Sequence, residues 1–277
     1  MKTKKLIPAS VMALAASMML FVACNKDKPE VSNNNNPATA PGEFKVHMTD
    51  APGDYASFKA QITKVEAYHE NDGWITLNSE SKIVSVLDLN NGKSIELAHA
   101  SNLSAGTYTK LKLTFGDANY ISFNAGVNTS GITLNAQGEA LLQWDGPKEV
   151  EITINENMNA QTGAFVLLDF HAANSLHQQA SSYVINPVIT EIKDVSTGLK
   201  GTVQGHARAA IMLSSGTHTY STYINAQGQF LMRGIEPGIY QLTVIPSGVT
   251  PGGLSEHEVN GIVVTKGQIK QVGTIHL

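Results

Sequence analysis

From Phe44 onward, apolar residues recur at every second position in short runs, and this alternation limits the chain more than any other feature. Phe44, Val46 and Met48 fall on one face of an extended segment, with Lys45, His47 and Thr49 on the other. A period of two belongs to a strand with one buried face. Phe58, Ala60 and Ile62 repeat the pattern, and the phase then slips so that Val65 and Ala67 carry the apolar set. That slip predicts a β-bulge near Thr63-Lys64. Asn71-Asp72-Gly73 reads as a hairpin turn into Trp74, because Asp-Gly supplies the positive φ of tight turns. Further strands are predicted over 83–89, 107–115, 120–123, 132–134, 140–144, 150–154, 165–170 and 183–192. No segment beyond the amino-terminal stretch carries a helical period. Only 15% of the residues are charged, and Asn, Ser, Thr and Gly take their place, which suits strands and turns. The expected class is all-β, as two tandem antiparallel β-sandwich domains.

A boundary is expected near Asp194-Val-Ser-Thr-Gly198, dividing a β-rich domain over 43–193 from a module over 194–277. The second module contains Tyr223-Ile-Asn-Ala-Gln-Gly-Gln-Phe230 and Gly234-Ile-Glu-Pro-Gly-Ile-Tyr-Gln-Leu-Thr-Val244, a turn, a strand, a tight turn and a strand. On these motifs it resembles the transthyretin-like, carboxypeptidase-regulatory-like sandwich. The resemblance implies a structural or partner-binding module without catalytic residues. The first domain carries Thr49-Asp-Ala-Pro52, Ile62-Thr-Lys-Val-Glu66, the lone Trp74 between them and Leu87-Asp-Leu89, then Leu103-Ser-Ala-Gly-Thr-Tyr108 and Val184-Ile-Asn-Pro-Val-Ile189. Their order and spacing resemble a family of prokaryotic lipoprotein domains of unknown function, which implies an extracytoplasmic β-rich module. Asn135-Ala-Gln-Gly138 recurs as Asn225-Ala-Gln-Gly228, and Ala105-Gly-Thr-Tyr108 parallels Pro237-Gly-Ile-Tyr240. Their order is reversed between the domains, so they read as shared turn chemistry rather than a duplication.

The amino terminus has a different character. Lys2, Lys4 and Lys5 make a basic start, and residues 6–22 are apolar or small, as in a signal peptide. The run is short for a membrane span and ends in Phe21-Val22-Ala23-Cys24, which resembles the lipobox of bacterial lipoproteins. The resemblance implies a signal over 1–23 and lipid attachment at Cys24, the only cysteine, each buried acyl methylene contributing about 0.8 kcal/mol. Residues 24–42, with Asn33 to Asn36 between prolines, read as a solvated tether. Its opening Asn25-Lys26-Asp27-Lys28 resembles the export tags of Bacteroidetes-type surface lipoproteins. Removing the signal takes Lys+Arg from 19 to 16 against 23 acids, and the net charge from −4 to −7. A diffuse acidic charge with only two arginines, Arg208 and Arg233, excludes the basic stripe of a nucleic-acid binder.

Signs of catalysis are sparse. His171 and His177 lie six apart, without the helical His-Glu spacing of zinc hydrolases, and the other histidines are scattered. There is no Gly-x-Ser-x-Gly elbow and no phosphate-cradling glycine loop. Asp50 and Asp54, two acids in a Pro-Gly loop at a strand end, are a candidate Ca²⁺ site, with Asx turn-forming as the alternative. Tyr55 and Tyr120, with Trp74 and Tyr108, are candidates for a sugar-stacking platform, although the alternation places Trp74 and Tyr108 in the core. The resulting expectation is a non-catalytic, lipid-anchored outer-membrane protein, on the periplasmic or cell-surface face, that binds a glycan or an envelope protein. It needs no cofactor unless Ca²⁺ binds. A pilin-like assembly subunit is the alternative, and an envelope hydrolase accessory the third.

Overall fold

The computed structural model describes residues 31–32, 42–51, 53, 55–159, 161–205, 208–216, 218–246 and 256–277, with the backbone alone at 31, 32 and 51. The signal, Cys24 and Asp54 lie outside the described residues.

In the first domain the strands are β1 (Val31–Ser32), β2 (Phe44–Ala51), β3 (Ser57–His69), β4 (Gly73–Asn78), β5 (Lys82–Ser85), β6 (Ser94–Ala100), β7 (Gly106–Phe115) and β8 (Tyr120–Ser122). They continue as β9 (Ala140–Leu141), β10 (Gln143–Trp144), β11 (Glu149–Met158), β12 (Ala164–His171), β13 (Leu176–Gln179), β14 (Ser182–Ile185) and β15 (Ile189–Glu191). One sheet has the order β1-β6-β2-β12-β15. The facing sheet runs β11-β7-β3-β8-β9, with β4 and β5 also on β3, and a small sheet β10-β14-β13 closes one side. Phe44, Val46 and Met48 are fully buried, as the alternation required, and Phe44 meets Tyr108 edge-on with centroids 5.0 Å apart. Each such side chain contributes about 1.5–3 kcal/mol by leaving water.

The second domain contains β16 (Gly198–Gln204), β17 (Ala209–Ser214), β18 (Thr219–Tyr223), β19 (Gln229–Arg233), β20 (Gly238–Pro246), β21 (His257–Val264) and β22 (Ile269–His276). They form a three-stranded sheet β19-β16-β22 against a four-stranded sheet β18-β17-β20-β21. Its core, built on Leu199, Phe230 and Leu242 among others, is a cluster separate from that of the first domain.

The expected all-β sandwich architecture is what the chain adopts. Three pairs depart from antiparallel order: β2 with β12, β10 with β14, and β16 with β22 all run parallel. Each joins segments far apart in sequence, so a crossover replaces a hairpin. The predicted bulge appears as a register shift between Ile62 and Lys64 against β7. Other local expectations fail for identifiable reasons. Residues 86–89 form a 3-10 turn instead of prolonging β5, burying Val86 and Leu89 from one turn. Residues 132–134 supply only an isolated bridge from Leu134 to Ala140. The segment 183–192 breaks around Pro187, which has no N–H for a ladder. Strand β6, absent from the predicted set, is buried on both faces at Leu97 and Ala98 and so lacks a clean period. Trp74 is not in the core: it lies half-buried on the outer sheet face, edge-on to Tyr68 at 5.3 Å, with the Lys112 ammonium 4.5 Å above its ring. Tyr108 is in the core and fully buried.

Candidate functional site

Where the two sandwiches meet, a cleft of about 910 Å³ opens between the β2–β12–β15 face and the β18–β19 side of the second domain. Hydrogen bonds cross the junction at one end and brace the linker against the second domain at the other. At one end the Thr49 hydroxyl donates to the carbonyls of Leu89 (2.8 Å) and Lys93 (2.7 Å), pinning the turn before β6 onto β2. In that turn Asn91 (φ 59°) and Gly92 (φ 75°) both take the left-handed conformation. The Asn91 N–H donates to the Thr222 hydroxyl at 3.2 Å and its side-chain amide to the Gln229 carbonyl at 3.0 Å. Gly92 sits against Leu231, so closely that a Cβ would lie 2.5 Å from a Leu231 methyl. At the other end Thr197, fully buried, donates to Asp194 at 2.6 Å and accepts from the Gly267 N–H at 2.6 Å. Arg233 donates to the Val195 carbonyl at 2.7 Å. The hydroxyls of Ser196 and Thr197 hold the Asp194 carboxyl below its usual range.

Between these two clamps the cleft is lined by charges of both signs, Asp50, Asp169 and Glu191 together with Lys93, Lys193, Arg233 and Lys266. Parallel pairing sets Phe170 opposite Asp50 and Asp169 opposite Thr49, which brings the two aspartates to the same end of the sheet. Asp50 is only 6% exposed, and neither of its carboxyl oxygens reaches a hydrogen-bond partner among the described residues. Burial pushes its pKa well up and the Asp169 carboxylate pushes it further; the neighbouring Ala172 N–H opposes them weakly, without hydrogen-bond geometry. Asp169 also faces His171 at 4.0 Å, whose Nε2 lies 2.9 Å from the Thr190 hydroxyl. Glu191, which also lines the cleft, is coupled to a second acid, Glu156. Burial and then Glu191 push Glu156 up to about 7, and burial raises Glu191 against the pull of Lys193. Phe165, Leu167 and Leu231 supply apolar wall.

The residues singled out from sequence separate. Asp50 lines the cleft, and among the described residues neither of its carboxyl oxygens has a hydrogen-bond partner. Its neighbour in space is Asp169, on a strand that sequence distance hid. Tyr55 packs on Tyr183, with centroids 6.4 Å apart, and donates weakly to the Leu176 carbonyl at 3.4 Å. Tyr120 pairs through its backbone with Lys59 and Leu141, and among the described residues its ring meets no other ring. The described residues contain no group of three His, Cys, Asp or Glu side chains able to hold a metal ion.

Fold and site together define an all-β protein of two sandwiches with a ligand-sized cleft at their junction. A domain of unknown function, DUF4382, matches residues 41–187, more than half of the chain, and the chain belongs to that family. The match falls on the domain whose motifs resemble a family of unknown function. No curated protein matches the chain in sequence. Among solved structures, the TIE protein of Bacillus anthracis is similar at 13% identity and a TM-score of 0.23, over 87% of this chain and 41% of its own. The chain thus spans about two fifths of that protein's length. The shaft pilin SpaA of Lactobacillus rhamnosus GG is similar at 7% identity and a TM-score of 0.22, over 85% of this chain and 96% of its own. A putative adhesin from Bacteroides ovatus ATCC 8483 is similar at 11% identity and a TM-score of 0.21, over 88% and 91%. Scores this low establish neither a shared fold nor a shared ligand.

Proposed function

We propose that this chain is a lipid-anchored, non-catalytic envelope protein whose two sandwiches bind a glycan or protein ligand, as an adhesion or binding module. The cleft carries the reading: its volume of about 910 Å³ lies in the range of ligand sites, and it joins apolar wall to a few converging polar groups. Anchoring is supported by the basic start, the Phe21-Val22-Ala23-Cys24 run and the Asn-rich tether, and it places the protein on the periplasmic or outer face of an outer membrane. The seven strands and the Gly234–Val244 hairpin support a carboxypeptidase-regulatory-like second domain. The test is capture from the source envelope by the mature protein. One component enriched by the parent and lost in Thr219→Trp, which fills the cleft, is expected; saturable turnover on a glycan or peptide panel would overturn the non-catalytic reading. Palmitate labelling should vanish in Cys24→Ala, and labelling that persists removes the anchor.

One observation favours pilin-like assembly as a second reading. Ile239 and Val263 face each other across β20 and the edge strand β21, 69% and 50% exposed, an apolar pair open to a neighbouring sheet. Concentration-dependent polymers in electron micrographs, abolished by Val263→Lys, would establish it.

A further inference from the structure

The two sheets of the first sandwich close on each other along one side through their edge strands. β15 ends the order β1-β6-β2-β12-β15, β11 ends that of the facing sheet, and the two edges pack together. Each carries a glutamate turned inward. Directly opposed residues of an antiparallel ladder share a face. Glu191 stands opposite Leu168 and Glu156 opposite Tyr108, both partners fully buried, so the two acids enter one interior from its two rims. Their strand neighbours on that face, Ile154, Met158 and Ile189, are apolar and buried. The Glu191 Oε2 is closed to solvent and has no hydrogen-bond partner among the described residues. An inward charge on an edge strand can keep it from pairing with other chains. A lysine on either rim would serve that end and would also pair the glutamate on the other. Two acids instead form a like-charged pair that a proton relieves.

The other charged groups of the packed strands do little to offset this. Among the described residues Lys193 alone pulls on Glu191, and no cation acts on Glu156. Glu149 and Glu151 of β11 face outward to Lys112 and Lys110 of β7. Tyr108 donates its hydroxyl to the Ser104 carbonyl, with His69 of β3 stacked beyond it. Asp169 of β12 is opposite Thr190 on the outer face, where His171 also bonds that threonine. β15 is the element able to respond. It has three residues, and its ladder is to β12 alone. The opposite rim is interrupted too, by a register shift between Thr153 and Glu156. One residue beyond Glu191, Ile192 reaches the second domain: a Cβ on Gly234 would lie 2.5 Å from its γ-methyl. The Gly234 N–H in turn donates to the Thr197 carbonyl at 3.0 Å. Movement of β15 is therefore passed to the linker and to the wall of the cleft that Glu191 and Ile192 line.

We propose that the β11–β15 seam is a proton-controlled latch: while Glu156 and Glu191 share a proton β15 stays docked, and when both are charged it works loose and takes the linker side of the cleft with it. The latch goes beyond the binding-module reading and does not depend on what the cleft holds. The test is hydrogen exchange of the mature full chain, read at single amides by NMR and corrected for the intrinsic pH dependence of exchange. Measurements at about pH 5.5 and about pH 8.5 lie either side of the Glu156 titration near 7. Protection of the Ile192 N–H, which donates to the Leu167 carbonyl at 2.8 Å, should fall roughly tenfold or more at the higher pH. The Gly234 N–H should follow in the same direction, and Val46 in the central strand β2 should not change. Glu156→Gln and Glu191→Gln each leave one charge in the seam and should keep the low-pH protection at the higher pH. Glu151→Gln, on the outer face of β11, should behave as the parent does. Equal protection of Ile192 at the two pH values in the parent overturns the proposal, as does a fall that persists unchanged in both seam variants. A fall at Ile192 with none at Gly234 overturns the coupling to the junction. Loss of protection at Val46 alongside Ile192 would mean that the whole sandwich opens and that there is no latch.

Discussion

The two sandwiches are built with the same local devices and surround them differently. In both, an Asn-Ala-Gln-Gly turn folds around one asparagine. The Asn135 side-chain oxygen accepts from the N–H groups of Gln137 (3.0 Å) and Glu139 (2.9 Å), and that of Asn225 accepts from Gln227 (3.0 Å) and Gln229 (2.9 Å). Gly138 and Gly228 close the two turns at the same φ of 75°. In both, a tyrosine hydroxyl reaches back four residues to a carbonyl, Tyr108 to Ser104 at 2.9 Å and Tyr240 to Glu236 at 2.8 Å. The surroundings then diverge. A Cβ on Gly138 meets nothing within 4 Å, whereas one on Gly228 would lie 2.2 Å from the Val203 carbonyl oxygen. Four residues of sequence therefore dictate how the chain turns, and packing from elsewhere dictates how much the turn matters.

That contrast is open to attack by mutation. The largest effect is expected in the glycine pair: Gly228→Ala should lose about 3 kcal/mol or more, combining an unfavourable φ with a clash against backbone, while Gly138→Ala loses only about 1 kcal/mol. Urea unfolding of both variants measures this, and equal losses would break the comparison. Gly92→Ala comes next, at about 1–2 kcal/mol, because its φ is positive but the obstructing Leu231 methyl can move aside. Its signature should be local: faster protease cleavage between the domains, with the near-ultraviolet spectrum of each sandwich kept. Global unfolding instead would show that the junction and the cores are one cooperative unit. Tyr108→Phe and Tyr240→Phe should each cost about 1 kcal/mol by leaving a carbonyl without its donor. A difference between them beyond that size would mean the corners are not equivalent.

The smallest effect lies in pH. Glu156 holds its proton more tightly folded than unfolded, its pKa being raised from 4.5 to about 7, so its contribution to stability is complete below pH 4.5 and is lost as pH rises through 7. Glu156→Gln should flatten the melting temperature across that window, while Glu258→Gln in the second sandwich should leave its slope unchanged. A parent whose stability rises steadily from pH 4.5 to 7, with the same slope in Glu156→Gln, would contradict this.

Legibility from sequence follows the same division. The phase slip after Ile62 was readable because a bulge displaces side chains along one strand, and the observed register shift falls there. The hairpin at Gly73 was readable because Asp-Gly encodes its own backbone. Trp74 was misplaced because alternation reports that two faces differ and not which one meets a core; a lysine across the sheet made the outer face habitable. The aspartate pair was beyond reach altogether. Asp50 and Asp169 come to the same end of one sheet only because β2 and β12 run parallel, and parallel partners carry no turn between them to announce the pairing. The site is thus less legible than the fold, since it depends on pairings that the local pattern never records.

The parallel pairing of β16 with β22 has a mechanical consequence. The linker enters β16 at Gly198, opposite Ile269, and β22 runs beside it until His276 stands opposite Gln204. A pull between the linker and the far end of β22 drags the two strands along each other lengthwise. Every hydrogen bond of that ladder then shares the load at once instead of parting one after another, so the second sandwich resists tension best along the line that joins it to the first.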